Sequence, residues 1–181
     1  MHLIRYSTLT GMKPVFLTGY MGSGKTAMGK LLANQLNYTF IDLDAYIEAK
    51  FHKTIASIFS EKGENEFRLI EKQCLHEVAD FENTVISTGG GAPCFFDNME
   101  FMNNRGLTIY LKLTVEHLAK RLETSAIGKR PLIADMEGDG LLNFISETLK
   151  VREPFYNKAQ MCIAGDDNEI KEQISNIRLF D

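Results

Sequence analysis

Apolar positions along this chain follow two alternating rhythms. Val15-Phe16-Leu17, Tyr38-Thr39-Phe40-Ile41, Thr84-Val85-Ile86-Ser87, the run from Leu107 to Leu113, and Met161-Cys162-Ile163-Ala164 are short and β-prone and read as strands. Between them the spacing changes to the three- and four-residue steps of amphipathic helices. Helices are predicted over Ala27 to Leu36, Ala45 to Phe51 with Asp44 as N-cap, and Ile55 to Phe59. A longer one follows from Glu64 to Ala79, with Phe67, Ile70, Cys74 and Val78 along one face, and Lys62-Gly63 separates it from the turn before. Further helices are predicted from Val115 to Glu123, Leu141 to Lys150 and Glu169 to Leu179, with Pro154 forcing a kink or a new start near Arg152. Strands alternating with helices make an α/β protein whose mostly parallel sheet is covered on both faces. No internal repeat, linker or low-complexity tract divides the 181 residues, which form one domain.

In such a sheet, ligands gather beyond the carboxyl ends of the strands. The first strand runs into Gly19-Tyr20-Met21-Gly22-Ser23-Gly24-Lys25-Thr26, which fits G-x-x-x-x-G-K-[ST] in its proper strand–loop–helix context. Glycines let successive backbone N–H groups turn onto phosphate oxygens, and the helix behind adds its unpaired N–H groups and positive dipole end. Lys25 supplies a mobile cation for the β- and γ-phosphates, and the Thr26 hydroxyl is suited to Mg²⁺. The chain therefore binds a nucleoside triphosphate. The second strand ends in Asp42-Leu43-Asp44, and an extended backbone there puts both carboxylates on one face. Alone, that pair is equally an acidic cap beside a solvated acid. Beside Mg·ATP, one carboxylate suits the metal's water shell and the other suits a hydroxyl nucleophile. The third strand runs into Gly89-Gly90-Gly91, either a flexible turn or a backbone that a small ligand approaches closely. All three strand ends open on one edge.

Composition narrows the partners. Hydrophobic content of 44% and charged content of 24% are those of an ordinary globular protein. The net charge of −4 argues against sequence-independent nucleic-acid binding, and it means that an anionic substrate must be held by locally placed cations. Three widely spaced cysteines, Cys74, Cys94 and Cys162, form neither a disulfide framework nor a zinc pattern, which points to a reducing cytoplasm. No apolar run reaches a membrane span. Residues 1–11 lack a signal-peptide apolar core and precede a second methionine, Met12, so they read as a flexible extension or a start-site artefact.

Further along the chain come Phe67-Arg68 with Glu71, Arg130-Pro131-Leu132, and Arg152-x-Pro-x-Tyr156. Taken in order with the phosphate loop, Ile41-Asp42-Leu43-Asp44 and Thr88-Gly89-Gly90-Gly91, these motifs resemble those of shikimate kinases, within the nucleoside-monophosphate-kinase-like P-loop proteins. The resemblance runs from Met12 to the C-terminus. It implies a three-layer P-loop kinase fold with a five-stranded parallel sheet of order 2-3-1-4-5. It also implies a substrate-binding region over about residues 44–72 and a mobile lid over about 124–138. The implied reaction moves the γ-phosphoryl group of ATP to the 3-hydroxyl of shikimate, on the route to chorismate and the aromatic amino acids. By motif match, Lys25, Asp44 and Arg130 are catalytic, Asp44 orienting or deprotonating the nucleophile and Arg130 closing over the phosphates from the lid. Gly22, Ser23, Gly24, Lys25, Thr26 and Ala27 hold ATP, and Arg121 is a candidate to stack on adenine. Thr26 and Asp42 serve Mg²⁺. Arg68, Arg152 and Gly89 to Gly91 join Asp44 in holding shikimate, and the family leans towards a monomer. The chemistry agrees: shikimate is a polyol with one carboxylate, which guanidinium recognises through paired hydrogen bonds. Glu71, three residues after Arg68 on one helix, is placed to orient it.

Three other readings compete. A gluconate-type kinase on the same scaffold would not need Arg68, the triple glycine and Arg152 together. A nucleoside-monophosphate kinase would carry more lid arginines. A nucleotide-binding module without catalysis would not need Lys25, Thr26, Asp44 and Arg130 all at once.

Overall fold

The computed structural model describes residues 13–124, 136 and 138–177. Arg130 lies outside the described residues, as do the extension before Lys13 and positions 125–135 of the segment expected to form the lid. Five strands, β1 (Val15–Thr18), β2 (Thr39–Asp42), β3 (Thr84–Ser87), β4 (Leu107–Lys112) and β5 (Met161–Ala164), form one sheet in the order β2-β3-β1-β4-β5. Every pairing in it is parallel. This is the expected order.

Period-two alternation sorts the strand side chains onto two faces, and helices cover both. Val15, Leu17 and Val85 belong to one core with Leu32 and Ala33 of α1 (Lys25–Leu36), Leu118 and Leu122 of α5 (Val115–Thr124), and Ile145 of α6 (Gly138–Tyr156). Ile170 and Ile174 of α7 (Asp167–Ser175) complete it. Phe16 and Ile86 point the other way, towards Leu43 and Ile47 of α2 (Leu43–Phe51), Phe67, Leu75 and Val78 of α3 (Ile55–Val78), and Met99 and Met102 of α4 (Asn98–Arg105). Full burial of such side chains contributes about 1.5–3 kcal/mol each, which fixes the helices against the sheet.

Three local details differ from the sequence reading, and one agrees with it. Helix α2 starts at Leu43 rather than Ala45, and its N-cap is Asp42, whose Oδ1 accepts from the Ala45 N–H at 3.3 Å. Asp44 is therefore not the cap and not on an extended backbone; it sits in the helix's first turn. The predicted break at Gly63 is present: φ 76° and ψ 172° are non-helical there and kink the run Ile55–Val78 into two helical pieces, with a left-handed φ that glycine tolerates. Helix α6 runs unbroken through Pro154, because a proline in the last turn removes only the bond to the exposed Lys150 carbonyl. Between Ala92 and Gly106, where the pattern predicts no element, a 3₁₀ turn (Ala92–Cys94) and α4 occur. Only Asn98, Met99 and Met102 of α4 are buried, too few for a clear apolar stripe.

Candidate active site

The register across the sheet brings the three suspected strand ends to one level. Ser87 of β3 is opposite Asp42 on one side and Leu17 on the other. Thr88 then ties the start of the glycine segment to β1: its N–H and its hydroxyl both donate to the Leu17 carbonyl, at 3.1 and 3.0 Å.

The phosphate loop has the backbone its glycines permit. Gly19, Gly22 and Gly24 have φ of 138°, 80° and 91°, and Gly24 caps α1 in the left-handed region with no side chain bonded to the first turn. The first N–H groups of α1 are thus left to an anion, with the helix dipole behind them. Lys25 is buried, and its ammonium donates to the Gly19 and Tyr20 carbonyls at 2.8 and 2.9 Å, which holds the charge over the loop. Arg121, read as an adenine contact, donates from Nη1 to the Gly22 carbonyl at 2.8 Å and pairs with Asp167 at the start of α7. Its charge braces the outer wall of the same loop. Asp167 is a partner that sequence reasoning missed, since an acid in a helix's first turn carries no mark of a distant arginine.

Asp42 faces the nucleotide side. Its Oδ2 accepts from the Thr26 hydroxyl at 2.9 Å, while Oδ1 caps α2. Asp44, in the first turn of α2, faces the glycine segment. A Cβ placed on Gly89 would meet Asp44 Oδ1 at 2.9 Å and Glu71 Oε1 at 2.8 Å, so two carboxylates bracket that glycine. Glu71 is 1% exposed. Burial pushes its carboxyl above the usual range; Arg68 opposes this and the Asp44 charge adds to it.

Arg68 is fixed on every side. Nη1 donates to Glu71 at 2.8 Å and Nη2 to Glu64 at 3.0 Å, and the Phe95 ring lies 4.1 Å from the guanidinium carbon. Glu64 and Phe95 were not legible as site residues, because each is an ordinary residue in its own segment. Arg152 comes from α6 and lies over the Tyr20 ring at 5.8 Å, and its Nη1 would be 3.8 Å from a Cβ on Gly90. That imagined Cβ would also stand 3.3 Å from the Met21 nitrogen, so Gly90 separates the phosphate loop from the Arg152 side. Cys94 lies nearby, but burial pushes its thiol up to about 11, leaving it neutral and unreactive near pH 7. The predicted residues Gly22 to Ala27, Asp42, Asp44, Arg68, Gly89 to Gly91 and Arg152 therefore gather at one sheet edge. A separate cleft of about 640 Å³, lined by His76, Asp97, Phe101 and Arg105 among others, lies between α3 and α4 and shares no residue with them.

A sequence model of the family described as "Shikimate kinase" matches residues 21–179. A shikimate kinase of Parabacteroides distasonis is 58% identical over 166 residues, covering 92% of this chain and 95% of that relative. This chain belongs to the shikimate kinase family. The crystal structure of the shikimate kinase from Bacteroides thetaiotaomicron superposes with a TM-score of 0.84 at 49% identity, over 90% of this chain and 94% of that one. The Acinetobacter baumannii shikimate kinase, solved in complex with shikimate, superposes at 0.79 with 33% identity, over 90% and 89%. A gluconokinase from Sinorhizobium meliloti reaches 0.58 at 15% identity, a likeness of fold alone.

The packing around Arg68 yields a direct prediction. A Cβ on Gly91 would stand 2.7 and 2.8 Å from the two guanidinium nitrogens, and φ there is −89°, which alanine accepts. Gly91→Ala must therefore displace Arg68 against its carboxylate and aromatic neighbours. We expect the KM for shikimate to rise by about tenfold, the loss of roughly one charged hydrogen bond, with the KM for ATP unchanged. Steady-state kinetics with each substrate varied in turn checks this; equal shifts in both would show a general loosening instead.

Proposed function

We propose that this protein transfers the γ-phosphoryl group of ATP to the 3-hydroxyl of shikimate, giving shikimate 3-phosphate and ADP. The observation that carries the reading is the meeting, beside a phosphate loop, of two arginines from separate helices with a carboxylate and a glycine segment. In this reading Arg68 and Arg152 hold the shikimate carboxylate, and backbone N–H groups of Gly89 to Gly91 serve its polar groups. Asp44 accepts the proton of the 3-hydroxyl as its oxygen bonds to the γ-phosphorus. The bond from that phosphorus to the bridging β–γ oxygen breaks, and ADP leaves with the electron pair. Lys25, with Arg130 closing from the lid, offsets the charge on the transferring group.

A divalent metal accompanies ATP in such kinases. The Thr26 hydroxyl and the Asp42 carboxylate, 2.9 Å apart, form the hard-oxygen pair that Mg²⁺ takes from proteins when phosphates and waters complete its shell. When bound there, Mg²⁺ neutralises phosphate charge and orients the γ-phosphoryl group. Among the described residues no cluster of three or more His, Cys, Asp or Glu occurs. We place the enzyme in the cytoplasm, supported by three free thiols, and take it as a monomer from the family resemblance; among the described helices none is long and apolar enough to cross a membrane.

The test is ADP release from Mg·ATP with shikimate, gluconate and AMP offered separately. Strong turnover with shikimate alone is expected. Turnover with gluconate or AMP instead would move the chain to a neighbouring kinase class. Nucleotide binding without turnover on any of them would reduce it to a binding module.

A further inference from the structure

We infer that Tyr156 is a positioning residue for the substrate site: its hydroxyl holds the Gly90 peptide, and with it the glycine segment, in the geometry that receives shikimate. This rests on the shikimate kinase reading above. Helix α6 carries Arg152 and Tyr156 four residues apart, and so on one face. Both reach Gly90: Arg152 lies beside its Cα, and the fully buried Tyr156 donates its hydroxyl hydrogen to the Gly90 carbonyl.

The carbonyl bookkeeping shows why one hydroxyl matters. The Gly89 carbonyl accepts from the Ala92 N–H at 3.1 Å, and the Gly91 carbonyl from the Cys94 N–H at 2.9 Å; both bonds are local turns. Among the described residues Gly90 alone of the three has its carbonyl held by a side chain, and one 66 residues away in the sequence. Among the described residues none of the three glycine N–H groups donates to a backbone carbonyl, so the segment keeps its capacity as a donor towards the site. A peptide is planar and trans, so fixing the Gly90 carbonyl fixes the direction of the Gly91 N–H on its far side. Glycines have no side chain to restrict them, and without that anchor the segment would sample orientations that miss the substrate. The Arg152 charge acts on the Tyr156 hydroxyl, which couples it to the second carboxylate-binding arginine.

A neighbouring tyrosine provides the control. The Tyr110 ring packs on the Tyr156 ring at 5.2 Å, but its hydroxyl donates to Glu153 at 3.3 Å and does not touch the glycines. Tyr156→Phe and Tyr110→Phe each delete one hydroxyl from the same buried pair and keep the ring packing. The experiment measures kcat, both KM values and the melting temperature for the wild type, for the two variants, and for a protein with 4-aminophenylalanine at position 156, which restores a donor. Tyr156→Phe should raise the KM for shikimate about five- to tenfold, the effect of one lost hydrogen bond, with the KM for ATP within about twofold. Tyr110→Phe should change neither KM, and the amino analogue should recover most of the shikimate affinity. A lower melting temperature with an unchanged shikimate KM in Tyr156→Phe would make Tyr156 purely structural and overturn the inference. So would a parallel rise in both KM values, or the same shikimate-specific rise in Tyr110→Phe. A wild type that turns over no shikimate would overturn the functional reading first, and this inference with it.

Discussion

Asp44→Asn is expected to lower kcat by about 10²- to 10⁴-fold while leaving ATP affinity within about twofold, the range seen when a general base is removed. Asparagine has the same shape and keeps the hydrogen-bonding reach of the side chain, but it cannot take a proton from the attacking hydroxyl. The structure separates this residue from its neighbour two positions earlier. Asp42 is committed to the Thr26 hydroxyl and to the Ala45 N–H, on the nucleotide side and at the helix cap. Asp44 instead faces Gly89, close to where Arg68 and Arg152 converge. Single-turnover phosphoryl transfer, with ATP binding measured separately by titration, checks the prediction. Turnover near the wild-type rate would take Asp44 out of the mechanism and leave positioning and charge neutralisation as the whole of catalysis. A large loss of ATP affinity would place Asp44 on the nucleotide side instead.

The two aspartates also show what the sequence can and cannot reveal. Their spacing at a strand end, beside a phosphate loop, is enough to nominate both. It does not say where the strand stops. Extended backbone through Asp44 predicts a shared face, whereas Asp42 ends β2 and caps α2 at once, turning Asp44 away by one helical step. Such a switch rests on whether Leu43 is buried, which it is, and burial is a property of the assembled sheet. The same holds for Arg68. Its helix position and Glu71 three residues on are legible from periodicity, but Phe95 reaches it from the far side of the triple glycine through a tertiary contact with no local signature. The strands were the most legible elements, because short buried β-prone runs between helices admit one reading. The segment from Asn98 to Arg105 was not, because its helix is mostly polar and anchored by few residues. Arg121 belongs to none of the ordered motifs, and in the sequence it is only a candidate to stack on adenine; its commitment to Gly22 and Asp167 is set by the approach of α5 and α7 to the loop.

Arg68→Met carries the other large effect, and it acts on both binding and stability. With one carboxylate partner lost, the KM for shikimate should rise by about 100-fold or more, as for a charged hydrogen-bonded pair. The variant also strips Glu71 of its counter-charge in a site where that carboxyl is almost wholly buried, and breaking such a pair costs about 3–5 kcal/mol. The penalty should depend on pH in a defined direction. In the folded protein the Glu71 carboxyl already titrates above its ordinary 4.5, raised by burial and by Asp44 and held back by Arg68 and Arg152. Removing Arg68 removes the main opposing charge, so the folded value climbs further. A carboxyl with a higher pKa folded than unfolded keeps its proton more tightly in the native state; that advantage is present at low pH and is lost as pH rises through the folded value. Thermal melts of Arg68→Met should therefore show a steeper fall in stability than the wild type as pH rises above the ordinary carboxyl range, and the double variant R68M/E71Q should level that slope. A steep slope that survives in the double variant would assign it to another group, and a wild-type slope in the single variant would mean that Glu71 relaxes to water once its partner is gone. In that case the arginine serves the substrate alone, and its burial is a consequence of the fold rather than part of what holds the fold together.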